Sequence, residues 1–289
     1  MSDLPFSLQK VLHKGTATPC VARTLPQASG LLEAFTSDEK LKHDVSLISY
    51  DVMEHQLACL EVVEFVVPQI TTGMEKVNAG LDVQAAGRVV SLPSVPNIKK
   101  LVARFLQSAK LSLRDTGRLF DAFYGQVFDH RFHKARPWAG KEFGTDSVLV
   151  QVLDRYAKWI ECVINWRNAV EHPRDSRGPL HVDDFRLVRI DQNRPPLIAV
   201  PALYQGTEDP VSLREYLTVT QDNLLTLFEE ILASLLLLLP SPFGLTIREI
   251  PESERNPENP IRFVPDLSGA ASSGCGPEPP KPSTQGNTE

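Results

Sequence analysis

The residues best equipped for chemistry lie in one short segment, Asn165-Trp166-Arg167-Asn168-Ala169-Val170-Glu171-His172-Pro173. His172 is a natural proton carrier near neutral pH. The guanidinium of Arg167 is suited to gripping a phosphate through two parallel hydrogen bonds. Brought together, an arginine and a histidine can cleave RNA without a metal: the imidazole assists attack by the 2′-hydroxyl, and the guanidinium stabilises charge on the phosphorane. On a helix, Asn168 and His172 are four residues apart and share a face, as do Arg167 and Glu171. Arg167 and His172 are five apart, or ~140° around an ideal helix. They converge only if the last turn loosens before Pro173, or if two copies of the helix meet across a symmetry axis. Arg167 also continues the apolar stripe of Tyr156, Ile160 and Val163, where a charge is costly unless it is paired or borders a cleft or interface.

A plain structural account stands beside this one. Arg167 and Glu171 can form an i,i+4 ion pair, and Asn168 and His172 a local hydrogen bond that ends the helix, with His172 favoured near the C-terminal dipole. Chance alone yields about 0.4 Arg-x4-His matches in a chain with 18 Arg and 7 His, and roughly 0.01 once Asn must follow the Arg. No GxxxxGK[ST], GxSxG or HExxH occurs, and the glycines near Gly274 lie in low-complexity sequence, which disfavours nucleotide-loop, hydrolase-elbow and zincin chemistry. His130 and His133 are three apart, but Arg131 lies between them and no other Cys/His cluster is near. They are expected to be surface residues rather than metal ligands, and no cofactor is implied.

Charge is segregated. The 289 residues carry a net charge of -6. Residues 97–141 nevertheless hold ten Lys/Arg against three acids, and residues 33–67 hold eight acids against two lysines. Two readings follow: neighbouring helices whose solvated faces attract each other, or a basic surface for a polyanion. Under the second, Arg114, Arg118, Arg131, Lys134 and Arg136 are the candidate RNA contacts.

The elements that position these groups read as mostly helical. Thr36-Ser37-Asp38-Glu39 starts a first long helix, with Thr36 as cap and Glu39 returning the bond; it is expected to end before Pro68. A second follows Pro96 on the stripe Ile98, Val102, Phe105, Ala109, with a bend near Gly117. A third spans about Asp146 to His172 and stops at Pro173. A fourth spans about Val211 to Leu239. Between the last two the period shortens, and a β-hairpin near 182–203 is expected, turning at Asp191-Gln192-Asn193-Arg194. Leu245-Thr246-Ile247 is a candidate strand. The expected fold is an antiparallel bundle of four to five long helices with a small hairpin insert before the last. The expected domains are an irregular arm at 1–36, the bundle at 37–250 and a largely disordered tail at 251–289, in which Arg262-Phe263-Val264 can dock. Trp159, Trp166 and the scattered cysteines Cys59 and Cys162 read as core or interface residues.

Composition narrows the classes. With 42% hydrophobic and 23% charged residues the mix is that of a globular chain. The apolar run Ile231 to Leu239 is too short to span a membrane, residues 1–14 lack a signal-peptide core, and the four cysteines include no CxxC, so a cytoplasmic location without membrane association is expected.

The segment Arg167-Asn168-Ala169-Val170-Glu171-His172-Pro173 resembles the RNxxxH motif of the HEPN domain family. The order of long helices, motif at a helix end, short β insert and closing helix, over roughly 37–240, resembles a prokaryotic defence and toxin branch of it. The resemblance implies a metal-independent endoribonuclease, a toxin or antiviral defence effector, working as a homodimer with two motifs in one cleft. It also implies RNA as substrate, with a regulatory protein as a further partner. Arg167 and His172 would be catalytic and Asn168 would orient them; Glu171 occupies a variable position. Members without activity serve as binding modules, so a non-catalytic helical interaction or scaffold module, and a nucleotide-binding regulatory protein without turnover, are the alternative readings.

Overall fold

A computed structural model describes residues 13–79, 91–174, 177–189, 197–240 and 244–267. It is mostly helical. Helices α1 (Pro19–Ala22) and α2 (Leu25–Phe35) precede the long α3 (Glu39–Asn78) and α4 (Ile98–Tyr124), followed by α5 (Phe132–Phe143), α6 (Val148–Glu171) and α7 (Leu213–Leu237). Partners on α3 and α4 run in opposite directions: Arg104 reaches Glu61, His55 reaches Asp115, and Arg118 reaches Asp51, so the two helices are antiparallel. Between them Val45, Val52, Val62, Val102, Phe105, Leu106 and Leu113 are buried. Helix α7 lies against α3, α4 and α6, while α5 packs on α6. An aromatic cluster of Phe120, Phe128, Phe132 and Trp138 joins the ends of α4 and α5.

Several boundaries differ from expectation for identifiable reasons. Asp38, not Thr36, caps α3; its carboxylate accepts from the Lys40 and Leu41 amides, and Thr36 Oγ1 accepts from the Asp38 amide. Helix α3 continues through Pro68 for ten more residues, because Val66, Ile70 and Gly73 are buried against other elements. Tertiary packing there outweighs the lost backbone bond. Helix α4 runs unbroken through Gly117, whose hydrogen faces the Asp129 carbonyl; a Cβ there would lie 1.8 Å from that oxygen. By length and composition α3 also qualifies to cross a membrane, which the run-based reading overlooked because Glu61 and Glu64 interrupt it; 28% of its most apolar window is buried among the other helices.

Strand β1 (Leu180–Asp183) pairs with β4 (Ala202–Gln205), and β2 (Arg186–Val188) with β3 (Leu197–Ala199), both antiparallel, so the insert is a long hairpin. Its expected turn at 191–194 lies outside the described residues. The two-residue β5 (Val211–Ser212) adds to β4, and Ser212 caps α7. Asp184 anchors the hairpin by accepting from Ser94 Oγ and the Val95 amide just before α4.

Both chain ends are more structured than expected. The arm contains α1 and α2, whose Leu31, Leu32 and Phe35 belong to the core. Pro19 and Pro26 sit in the first turns, where proline costs no backbone bond. Of the expected tail, residues 251–267 are built: β6 (Thr246–Glu249) pairs with β7 (Phe263–Asp266), and a short 3-10 turn lies at Glu252–Glu254. The remainder, 268–289, lies outside the described residues. These ends meet at Glu229 of α7, which has no solvent exposure. Arg23 pairs with its carboxylate. Gln27 Nε2 donates to it at 3.0 Å, and Gln27 Oε1 accepts from the Arg262 and Phe263 amides at 2.6 and 2.7 Å. Glu229→Ala should destabilise the fold by about 3 kcal/mol, by stranding Arg23. Glu229→Gln should cost about half of that, because an amide still accepts. Urea unfolding measures both, and equal losses would mean the charge is immaterial.

Asp115 is the second buried carboxylate, 1% exposed. Burial alone would raise its carboxyl, but hydrogen bonds from His55 and Arg114 hold it below the ordinary value. A depressed acid contributes stability that is complete above its unfolded value of about 3.9 and lost as pH falls through the lower folded value. Urea midpoints should therefore fall below about pH 4, with a shallower fall in Asp115→Asn. Identical acid limbs for the two proteins would refute the assignment.

Candidate functional site

Helix α6 begins at the Ser147 cap, whose hydroxyl accepts from the Val150 amide. It ends at Glu171, because Pro173 keeps the preceding residue out of helical geometry. His172 takes φ -123° and ψ 66°, and its amide still donates to the Asn168 carbonyl at 2.7 Å. The last turn thus stays closed. Trp166 packs its ring on Tyr216 at 4.6 Å, and Trp159 Nε1 donates to Thr220, so both tryptophans tie α6 to α7.

Arg167 is only 12% exposed. Its guanidinium pairs with the Glu171 carboxylate, and its Nε donates to Gln107 Oε1 at 2.8 Å. One rung along, Lys110 Nζ donates to Asn168 Oδ1 at 3.1 Å. Residues three apart on α4 therefore meet adjacent residues on α6. His172 is 62% exposed, with Nε2 3.9 Å from the Glu171 carboxylate. Arg167 and His172 thus flank one carboxylate rather than an open space.

The electrostatics are uneven. Lys110 meets a neutral amide, with no carboxylate partner among the described residues. Burial pulls its ammonium below the usual lysine value, and Arg167 adds to this. Burial also lowers Arg167. His130, in the turn before α5, is pushed below the ordinary imidazole value by burial and by Lys110; Asp129 opposes this, while Arg131 and Arg167 reinforce it. Three basic groups from α4, α6 and the α4–α5 turn are therefore close enough to oppose one another's charge. Within it Glu171 answers Arg167, while Lys110 has only the Asn168 amide oxygen.

The wider basic stretch is arranged differently. Arg114 pairs with Asp115, Arg118 with Asp51 and Asp115, Arg131 with Asp129, and Arg136 with Asp154. Of the five candidate RNA contacts, only Lys134 has no carboxylate partner among the described residues. The arginines of the stretch are thus paired with carboxylates of α3, of α6 and of their own neighbours, while its lysines have none among the described residues. Gln107 and Lys110 are the site residues that sequence reasoning missed, whereas the Arg167–Glu171 pair was expected. Lys110 lay inside the basic stretch, but nothing in its spacing distinguished it from Lys99 or Lys100.

Between α5 and α6 runs a groove of about 580 Å³. His130 and His133 line it with Phe132, Ile160, Ile164 and Asn165, so it shares His130 with the charged cluster. Among the described residues no three His, Cys, Asp or Glu side chains converge to hold a metal ion. Burial raises the Cys20 and Cys162 thiols to about 11 and Cys59 well above its ordinary value, which keeps all three protonated and poor nucleophiles. Comparison with protein-family models, curated proteins and solved structures returned no match.

The uneven charge makes a prediction. Lys110→Met should leave stability unchanged or raise it by up to about 1 kcal/mol, since it removes a desolvated like charge and loses only an amide contact. Denaturant unfolding tests this, and a loss above about 1 kcal/mol would make Lys110 a structural residue.

Proposed function

We propose that this chain is a HEPN-like, metal-independent endoribonuclease, a toxin or defence effector that works in the cytoplasm as a homodimer. On this reading the long helices form the antiparallel HEPN-type bundle, and a regulatory protein controls the site. The observation that carries the reading is the placement of two cations on the rung that holds the RNxxxH residues, Lys110 on Asn168 and Arg167 against Gln107 and Glu171. A phosphodiester suits both. It would take Arg167 from Glu171 and receive Lys110 beside Asn168. The His172 imidazole, already solvent-facing, removes the proton of the 2′-hydroxyl. A bond forms from O2′ to phosphorus, the bond to O5′ breaks, and the departing 5′-oxygen takes up a proton, leaving a 2′,3′-cyclic phosphate. Because the last turn is closed, the second copy's motif supplies the convergence that one helix does not.

One observation favours a different outcome. Glu171 already occupies Arg167, which is what a non-catalytic interaction module, or a regulatory nucleotide binder without turnover, would retain. Purified protein should cleave RNA in EDTA, and Arg167→Ala and His172→Ala should each lower the rate at least about 100-fold with unfolding midpoints preserved. Cleavage by both variants at the wild-type rate would remove these residues from the chemistry; no cleavage by any form would leave the interaction module.

A further inference from the structure

The groove between α5 and α6 is not used by the chemistry above. His130 lines it, and the charges of Lys110 and Arg167 are felt at His130. Asn165 also lines it, one helical turn before Asn168. Its volume of about 580 Å³ falls within the range of small-molecule sites, whereas the hollow beside Lys99 and His181 holds about 240 Å³. Apolar side chains, Ile160, Ile164 and Ala157, line it together with the two imidazoles, Lys158 and Glu161. A flat aromatic base suits such walls, since imidazoles stack on bases and the charged groups bond their edges. Arg131 and Arg136 are neutralised by Asp129 and Asp154. Lys110 Nζ sits on Asn168, one turn along α6 from the lining residue Asn165, so a phosphate just beyond the groove meets Lys110 and Arg167.

We propose that the α5–α6 groove is a subsite for one nucleotide, with its base against the imidazoles and the apolar side chains and its phosphate on the adjoining Lys110 and Arg167. This rests on the ribonuclease reading only for where the nucleotide comes from: a unit of an RNA chain or a free mononucleotide. The chemistry recognised, a base joined to a single phosphate, is the same in both.

The test uses the full chain and three probes: inorganic phosphate, adenosine 5′-monophosphate and a fully 2′-O-methylated RNA hexamer, followed by calorimetry and by the NMR signals of the histidines. The nucleotide should bind at least ten times more tightly than phosphate and should shift His130 and His133. Lys110→Met should weaken all three probes at least tenfold. Ala157→Phe, which fills the groove, should weaken the nucleotide tenfold and leave phosphate unchanged. Hexamer binding that Ala157→Phe weakens to the same degree would identify the RNA chain as a source; binding of the mononucleotide alone would identify the free ligand. If the nucleotide binds no better than phosphate, or if Ala157→Phe binds it as tightly as wild type, the subsite does not exist. RNA cleavage at the wild-type rate in Ala157→Phe, together with undiminished nucleotide binding by that variant, would overturn the subsite and spare the ribonuclease. Groove-dependent nucleotide binding without any cleavage would overturn the ribonuclease and keep the subsite.

Discussion

Glu229 sits on α7 with no access to water, and an ionised carboxylate there must be answered from within the protein. The answer comes from both ends of the chain. Arg23 and Gln27 arrive from the N-terminal side, and Arg262 arrives with the β6–β7 hairpin. Burial outweighs these partners and leaves the Glu229 carboxyl raised above its ordinary value. A raised acid opposes folding more as pH rises through its folded value, so the group is no large net stabiliser at neutral pH. What it does determine is geometry, since only one placement of α2 and of the C-terminal hairpin supplies the donors. The same constraint holds α7 in place, and through Trp166 and Tyr216 it holds the end of α6.

With α6 tied to α7 and α4 packed antiparallel to α3, the approach of α4 to α6 follows. Gln107 then meets Arg167, and Lys110 meets Asn168. Gly117 tightens the arrangement from the other end of α4, because its missing side chain lets the Asp129 carbonyl approach the helix. That contact places the turn carrying His130 beside the motif. The cluster of like charges is therefore a product of core packing rather than of any local signal.

This explains what could be read from the sequence and what could not. Helix α4 was legible because its stripe from Ile98 to Ala109 repeats at helical period, and α6 because its stripe ends at a proline. The hairpin was legible because Arg186 to Val188 and Leu197 to Ala199 shorten the period. Helices α1 and α2 were hidden by Pro19, Pro26 and Gly30, which read as breakers, although two of them occupy first-turn positions where proline fits. Pro68 misled in the other direction, as packing carried α3 past it. At the site, Arg167 was recognised as misplaced on an apolar stripe. Its partner Gln107 and its neighbour Lys110 were invisible, since both contacts join residues about sixty positions apart.

The structural account of the motif and the functional one can now be set against each other on charge. The Arg167–Glu171 pair and the His172 amide bonded to Asn168 are what a helix end would make without any function. Along the same stretch the arginines Arg104, Arg114, Arg118, Arg131 and Arg136 all face carboxylates. Lys110 does not, and unlike the exposed Lys134 it is partly buried, lies near a guanidinium and an imidazole, and is given only an amide oxygen. A helix end needs no such group, and a core would be more stable with an apolar residue in its place. The structural account therefore covers Arg167, Glu171 and His172 but leaves Lys110 unexplained, whereas an anion at this rung accounts for all four.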